Sequence, residues 1–149
     1  MGKIFELWGK KVMKRVINAQ GASLGRLSTA VAKGLLQGDE IAIINSEKAV
    51  ISGKKKEIKE EYQQKRTVGT YRKGPFFHRS PERIVKRTVR GMMPYQKPHG
   101  RAAYKRLRCY IGVPEEFNEK NAEIVQHAKK QYVDSITIEE LSRSIGAKI

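Results

Sequence analysis

Residues 16–45 carry the pattern that most constrains the fold of this chain. Val16-Ile17 is a short apolar start, and the turn-forming sequence NAQGASLG follows it. Ser23 stands where a helix N-cap is expected, and an apolar stripe at helical spacing follows, formed by Leu24, Leu27, Val31 and Leu35. Gly38 suits a left-handed helix end, and IAII at 41–44 is typical of a buried strand. This order of elements predicts a right-handed crossover onto a parallel sheet.

The next part of the chain predicts another strand and helix, followed by a loop. AVI at 49–51 begins this unit, and Ser52 is expected to cap a helix over 53–66. Residues 67–79 are rich in glycine and aromatic side chains, which favours a loop.

Ser80-Pro81-Glu82 is the strongest helix start in the sequence. A capping residue, a proline for the first turn and an acid near the positive end of the helix dipole follow one another. The predicted helix runs from about 81 to 92, and Pro94 stops it. One face is mainly apolar, with Ile84, Val85, Thr88 and Met92. The opposite face is basic, with Arg83, Lys86, Arg87 and Arg90.

Three further elements are expected towards the end of the chain. A short helix is predicted over 100–106, and alternation of apolar and polar residues predicts a strand over 107–111. The capping box TIEE at 137–140 opens a helix that Gly146 ends. Residues 115–135 show no clear pattern.

The charge of the chain is strongly positive and unevenly placed. The 31 basic and 15 acidic residues leave a formal net charge of +16. Residues 62–114 hold 14 basic residues and a single acid, Glu82, whereas residues 115–149 hold 5 basic and 7 acidic residues. Such a charge repels itself and favours a polyanionic partner, with nucleic acid ahead of an anionic membrane surface. A disordered basic tail is disfavoured, because apolar residues are interspersed through the basic segment.

Cysteine usage and hydropathy indicate a reducing compartment. Cys109 is the single cysteine, so no internal disulfide is expected, and its place in the alternation predicts a buried, inert thiol. No apolar run approaches the roughly 20 residues that cross a bilayer. The N-terminus lacks an apolar core of signal-peptide length. The cytoplasm is the expected location.

The sequence gives little support for catalysis or for nucleotide binding. The turn from Gly21 to Gly25 lacks the dinucleotide fingerprint, and Asp39 or Glu40 precedes the second strand instead of ending it. Both glycines are instead expected to allow a tight turn and close helix packing. His78, His99 and His127 have no metal-ligand spacing, so we expect no metal, no cofactor and no enzyme activity.

Four blocks of the sequence together resemble one known family. These are NAQGASLGRLSTAVAK, IINSEKAVISGKK, SPERIVKRTVRGMMP and RLRCYIGVPEEF. In this order they resemble the universal large-subunit ribosomal protein family thirteen over roughly residues 13–117. LLQGDE and RKGPFFHRSPER are more similar to the archaeal and eukaryotic branch, and the short C-terminal extension favours the archaeal type.

The resemblance implies a fold, a role and a set of partners. The implied fold is a three-layer α/β/α domain around a mainly parallel sheet of about four strands. The implied role is structural: binding large-subunit rRNA, supporting early subunit assembly and translation, and contacting neighbouring ribosomal proteins. Members of such families can also bind mRNA, but no residue here indicates that partner.

Charge and resemblance together predict an rRNA-binding surface that includes Arg90-Gly91 and the loop to Arg108. Met92 and Met93 are expected to anchor that loop, at least one of them in the core. The expected members of the surface are Arg26, Lys54, Lys55, Lys56, Arg66, Arg72, Lys73, His78, Arg79, Arg83, Lys86, Arg87, Arg90, Gly91, Lys97, His99, Arg101, Lys105 and Arg106. Tyr71, Phe76, Phe77 and Tyr95 lie in the neighbouring loops, where RNA-binding proteins place rings for base stacking.

The resemblance also suggests how the chain is divided. Residues 1–12 precede the match and form an N-terminal basic extension, unless Met13 is the natural start. Residues 13–149 form a single domain, in which 115–149 match less firmly. Two other functions compete with the structural ribosomal role: a free RNA-binding regulator that uses the same surface, and a nucleotide-dependent enzyme built on 16–45.

Overall fold

The computed structural model describes residues 5–7, 10–118 and 121–148. Its strands are β1 (Phe5–Leu7), β2 (Lys10–Val12), β3 (Lys14–Asn18), β4 (Glu40–Ile44), β5 (Val50–Ser52), β6 (Leu107–Cys109) and β7 (Ser135–Thr137). Its α-helices are α1 (Leu24–Gln37), α2 (Lys55–Thr67), α3 (Pro81–Gly91), α4 (Pro98–Lys105) and α5 (Ile138–Ser144). Short 3-10 turns lie at Ser46–Lys48 and Gln126–Ala128.

The main sheet is parallel and has β4 at its centre. β3 pairs with one edge of β4 and β6 with the other, with Ile17 opposite Ile43 and Ile43 opposite Cys109. The predicted β-α-β crossover and the α/β fold class are therefore confirmed. Among the described residues the sheet has three strands, and the expectation of about four was wrong. The reason is that β5, the next strand in sequence, pairs antiparallel with β7 outside this sheet.

The stripe on α1 packs into the core as the sequence predicts. Leu27, Val31 and Leu35 are fully buried and Leu24 nearly so. Helix α1 contacts β4, α3 and α4, while α3 and α4 contact β6. Gly38 ends the helix with a φ of 114°, a left-handed conformation that glycine adopts without steric cost. This layer of helices fixes the position of α3 relative to the sheet.

Several elements begin or end at residues other than those predicted. Ser52 ends β5 and does not cap α2, because the turn at Gly53 delays that helix until Lys55, with Lys54 at its N-cap. The strand predicted over 107–111 ends at Cys109, and Ile111 is exposed. On α3, Val89 is fully buried, whereas Met92 is exposed and Met93 enters the core. The expectation that one of the two methionines anchors the loop is confirmed.

The segment that the sequence left open runs along the free edge of β3. The backbone N–H of Glu123 donates to Val16 at 2.7 Å, and the N–H of Asn18 donates to the carbonyl of Glu123 at 3.0 Å. The chain then reaches β7 and α5, where Thr137 accepts from the N–H of Glu140 at 3.2 Å, as the capping box predicts. Ile136 and Leu141 of this unit form a small core with Ile58, which holds α2 to the domain.

Candidate nucleic-acid interface

Helix α3 presents four cations on the face opposite its buried side chains. Pro81 occupies the first turn and Glu82 lies beside the amino end of the helix dipole, which favours a helix start at this point. Ile84, Val85 and Val89 are buried against the core. Because their spacing uses one side of the helix, Arg83, Lys86, Arg87 and Arg90 are left on the other.

A groove of about 460 Å³ lies between this face and β6. Its lining residues are His78, Glu82, Arg83, Lys86, Arg87, Arg90, Tyr104, Arg108, Cys109 and Tyr110. Five of these are among the predicted rRNA-binding residues. Sequence reasoning missed Arg108, Tyr104 and Tyr110 as site residues. For Arg108 and Tyr110 the alternation of the predicted strand gave a clue, because it places their side chains on the face opposite Cys109. The pairing of β6 with β4 then brings them close to α3.

Aromatic rings and a carbonyl hold the cations of the groove in place. The Arg87 guanidinium lies 4.1 Å from the Phe77 ring centroid, and its Nη1 donates to the carbonyl of Phe76 at 3.0 Å. Arg90 lies 4.1 Å from the ring centroid of Tyr95. Contacts of this kind orient a cation without neutralising it, so its charge stays available to a ligand.

The groove has far more positive than negative charge. Glu82 is its single carboxylate, and Glu82 Oε1 lies 3.9 Å from Arg83 Nε. Within the described ranges, no carboxylate oxygen lies within 4.0 Å of a side-chain nitrogen of Lys86, Arg87, Arg90 or Arg108, which leaves these charges uncompensated by the protein. The lining also includes the phenol groups of Tyr104 and Tyr110. Burial raises the pKa of the Tyr104 phenol, against a smaller opposing effect of Arg90, so the O–H stays protonated at neutral pH.

Other predicted site residues lie outside the groove and serve the fold directly. Arg106 donates to the carbonyls of Leu35 and Asp39 at the end of α1. Arg79 donates to the carbonyl of Gly146 at 3.2 Å, and Arg66 donates to the neighbouring carbonyl of Ile145. Arg26 donates to the carbonyl of His127, and Arg101 to that of Gln96. These guanidinium groups tie loops and helix ends together.

The three lysines predicted at the start of α2 each have an acidic neighbour. Lys54 lies 3.1 Å from Glu57, Lys55 lies 3.1 Å from Glu140, and Lys56 lies 3.9 Å from Glu60. The structure does not bring these lysines into the groove. The other predicted residues are exposed and do not line the groove: Arg72 and Lys73 in the loop after α2, Gly91 at the end of α3, and Lys97, His99, Lys105 before and along α4.

The alternative sites weighed from the sequence gain no support from the geometry. A Cβ atom added at Gly21 or Gly25 would have no neighbour within 4 Å. The expectation that these glycines allow close helix packing was therefore wrong. The positive φ of 68° at Gly21 explains that glycine alone. Asp39, a candidate ribose partner, lies 3.4 Å from Arg15. Cys109, which we expected to be buried, is half-buried: it packs against the core and lines the groove, and burial of the thiol raises its pKa to about 12.

The described residues therefore make an α/β protein whose chemistry is concentrated in one cationic groove. Where side chains are described, no cluster of three or more His, Cys, Asp or Glu suits a metal ion, and no described helix is long and apolar enough to cross a membrane. This is a basic α/β protein with a cation-rich groove and no metal cluster or membrane-spanning helix among its described residues.

Comparison with known proteins then places the chain in a family. The family model "Ribosomal protein L13" matches residues 12–116. The chain is 47% identical over 135 residues to "Large ribosomal subunit protein uL13" of Archaeoglobus fulgidus, covering 88% of this chain and 86% of that protein. It is 46% identical over 136 residues to the protein of the same name from Methanococcoides burtonii, covering 89% and 98%. The chain belongs to the ribosomal protein L13 family, a family of structural proteins and not of enzymes.

Proposed function

We propose that this protein is a structural component of the large ribosomal subunit that binds large-subunit rRNA through the groove between α3 and β6. The observation that carries the proposal is the set of groove cations without a carboxylate partner, in a chain of the L13 family. Its place of action is the ribosome in the cytoplasm, which agrees with the archaeal relatives that carry the name of a large-subunit protein.

The groove suits the RNA backbone for a physical reason. Guanidinium groups bind phosphate oxygens through two parallel N–H donors, and each neutralised phosphate releases condensed counterions. Phe77 and Tyr95 hold Arg87 and Arg90 before RNA arrives, so little side-chain entropy is lost on binding. Arg66 and Arg106, in contrast, lie outside the groove and donate to carbonyls at helix ends, so we expect them to contribute to RNA binding mainly by stabilising the fold.

We also infer a role in early subunit assembly and contacts with neighbouring ribosomal proteins. Exposed apolar side chains along the segment after β6 support a protein contact: Ile111, Val113, Ile124 and Val133. An mRNA partner has no observation of its own in its favour. The assembly role predicts that pulse-labelled chain enters precursor particles before it appears in mature subunits. Entry only into mature subunits would rule out an early role.

The experiment that tests rRNA binding reverses the charge of the groove. A chain with Arg83→Glu, Arg87→Glu and Arg90→Glu is expressed in cells and followed through sucrose gradients at low and moderate salt. We expect loss from the large-subunit fraction, because phosphate would face three carboxylates. A matched control carries Lys33→Glu, Arg143→Glu and Lys148→Glu, the same change of net charge on exposed residues outside the groove.

The outcomes separate the proposal from a free RNA-binding regulator. Wild-type chain that stays in the large subunit at both salts supports a structural role. Wild-type chain at the top of the gradient, or lost at moderate salt, favours a reversible binder, whose affinity falls on the order of a thousandfold between about 50 and 200 mM salt. Equal incorporation of the groove variant and the wild type would exclude the groove as the rRNA site.

A further inference from the structure

The loop after α2 ends in a closed tip that exposes large apolar side chains. Tyr71 has 94% of its surface exposed, Phe76 64% and Val68 55%. Exposed large apolar side chains that are close together in the chain mark a candidate interaction site. These residues are not among those that line the α3 groove. The tip therefore requires an explanation of its own.

The tip is held in one shape by its backbone. Thr70 and Gly74 exchange two hydrogen bonds, of 3.2 and 2.9 Å, and the N–H of Lys73 donates to Thr70 Oγ1 at 3.2 Å. Gly69 has a φ of +99°, and a Cβ there would lie 2.2 Å from the carbonyl oxygen of Gly74. Only glycine fits such a position, so the sequence favours this closed turn over an open loop. Tyr71 is thus presented at the head of an ordered turn.

The base of the tip is fastened to the rest of the protein. Arg87 of α3 donates to the carbonyl of Phe76, and the next ring, Phe77, meets Tyr62 of α2 edge to face with centroids 5.7 Å apart. A turn that is ordered before binding loses little conformational entropy when a ligand arrives. The exposed rings are therefore built to meet a partner.

The charge around the tip identifies the chemistry of that partner. Arg72 and Lys73 are exposed beside Tyr71, and residues 62–81 contain no acidic residue. A ring flanked by cations matches a nucleotide, which offers a base face for stacking and a phosphate for the charges. Bases within a duplex are already stacked on one another, so the ring favours unpaired nucleotides.

We propose that Tyr71, with the exposed Phe76 at the base of the tip and Arg72 and Lys73 as phosphate contacts, forms a second RNA-binding site that stacks on unpaired bases. This inference rests on the rRNA-binding function proposed above. It adds a contact of different chemistry, stacking in place of charge, at a place outside the groove. A subunit component with both sites would hold two stretches of RNA relative to one another.

The test measures the affinity of the full chain for two RNA probes. One is fluorescein-labelled oligo(rA) of about 12 nucleotides, within the site size of single-strand binders, and the other is the rA·rU duplex of the same length. Tyr71→Ala should weaken binding to oligo(rA) about 5- to 150-fold, the range for loss of one stacked base. Binding to the duplex should be unchanged. Tyr71→Phe, the matched control, keeps the ring and should bind both probes as the wild type does.

Salt dependence separates stacking from charge at the same tip. Tyr71→Ala should leave the slope of log K against log salt unchanged, because no phosphate contact is lost. Arg72→Gln with Lys73→Gln should reduce that slope for oligo(rA) by about 1.4, since each single-strand phosphate contributes about 0.7. Melting curves should coincide for all variants, because these side chains are exposed.

Three results would overturn the proposal. These are wild-type chain that does not bind oligo(rA), Tyr71→Ala that binds it as the wild type does, and an equal loss by Tyr71→Ala on both probes. Sedimentation of Tyr71→Ala through sucrose gradients tests the alternative that the tip binds a neighbouring protein. Loss from the large subunit with unchanged oligo(rA) affinity would assign the tip to a neighbouring protein. Failure of rRNA binding through the groove would appear instead in a variant with only Arg83→Glu and Arg90→Glu, which keeps the bond from Arg87 to the base of the tip.

Discussion

Arg106 closes the carboxyl end of α1 through the backbone carbonyl of Leu35, to which its Nη2 donates at 2.7 Å. Its Nε lies 3.4 Å from the carbonyl of Asp39. The last carbonyls of a helix have no partner within the helix, and a cation there also complements the helix dipole. A residue predicted from the sequence to bind rRNA therefore holds α1 to α4 and β6.

Replacing Arg106 is expected to lower stability. Arg106→Gln should reduce the free energy of unfolding by about 1.5–3 kcal/mol, because charge-assisted bonds to partly buried carbonyls are lost. Lys105→Gln, next to it and exposed, is the matched control and should change stability by less than about 0.5 kcal/mol. Urea denaturation followed by circular dichroism measures both. Equal stabilities of the two variants would contradict the structural role of Arg106.

Two arginines of similar exposure should differ in their effect on RNA binding. Arg83 lies in the groove with 59% of its side chain exposed, and Arg143 lies on α5 with 62% exposed and 2.6 Å from Glu139. Arg83→Gln should lower the slope of log K against log salt by about 1 for protein-free large-subunit rRNA. Arg143→Gln should leave the slope as it is. Filter binding across a salt series measures both slopes. Equal slopes for Arg83→Gln and Arg143→Gln would show that Arg83 does not contact a phosphate.

Two helical glycines should respond in opposite directions to alanine. At Gly100 in α4, an added Cβ would lie 2.1 Å from the carbonyl oxygen of Pro94, so Gly100→Ala should cost about 1–3 kcal/mol. At Gly25 in α1 nothing lies within 4 Å, and Gly25→Ala should stabilise the fold by about 0.5–1 kcal/mol. Thermal unfolding gives the sign of each change. A stabilising Gly100→Ala would show that the backbone of Pro94 does not approach so closely.

The ion pairs of Glu140 on α5 with Lys55 and Lys59 on α2 should weaken in acid. Hydrogen bonds from Lys59 and Lys55 lower the pKa of Glu140, so the carboxylate is favoured in the folded state. Its contribution is therefore present above the unfolded pKa of Glu, about 4.3, and is lost as the pH falls through the lower folded value. Because the pairs are exposed and screened, Glu140→Gln should cost less than about 1 kcal/mol at pH 7.

Denaturation of the wild type and of Glu140→Gln at pH 7 and at acidic pH tests whether this contribution depends on the charge of Glu140. The two unfolding free energies should differ at pH 7 and converge as the pH drops below about 4. Glu57→Gln serves as the comparison, since Glu57 pairs only with Lys54 on an exposed surface and no second lysine adds to it among the described residues. A difference for Glu140→Gln that persists in strong acid would indicate a packing effect and not an ionic one.

Cys109 should resist alkylation as long as the chain is folded. With its pKa raised from 9.0 to about 12, the thiolate fraction at pH 8 falls on the order of a thousandfold, and thiolate is the reactive form. Iodoacetamide labelling followed by mass spectrometry should therefore be slow in buffer and fast in urea. Labelling of the folded chain at the rate of a free thiol would show that the groove leaves the sulfur accessible.

The sequence by itself determined the elements whose signals are local. The stripe from Leu24 to Leu35 and the glycine at 38 predict α1 with its end, and the Ser80-Pro81-Glu82 start predicts α3 with its basic face. Local steric and hydrophobic rules act within one or two turns, so adjacent residues suffice to predict them. The same reasoning identified five of the ten residues that line the groove.

The tertiary structure decided which cations are available and which are not. Arg83 and Arg106 look alike in a sequence, yet one lies in an open groove and the other bonds to Leu35, 71 positions away along the chain. Arg108 and Tyr104 join the groove only because β6 pairs beside β4 and carries them to α3. The place of β5 outside the main sheet likewise depends on β7. Such partners are brought together by long-range packing of the core, which spacing along the chain does not encode.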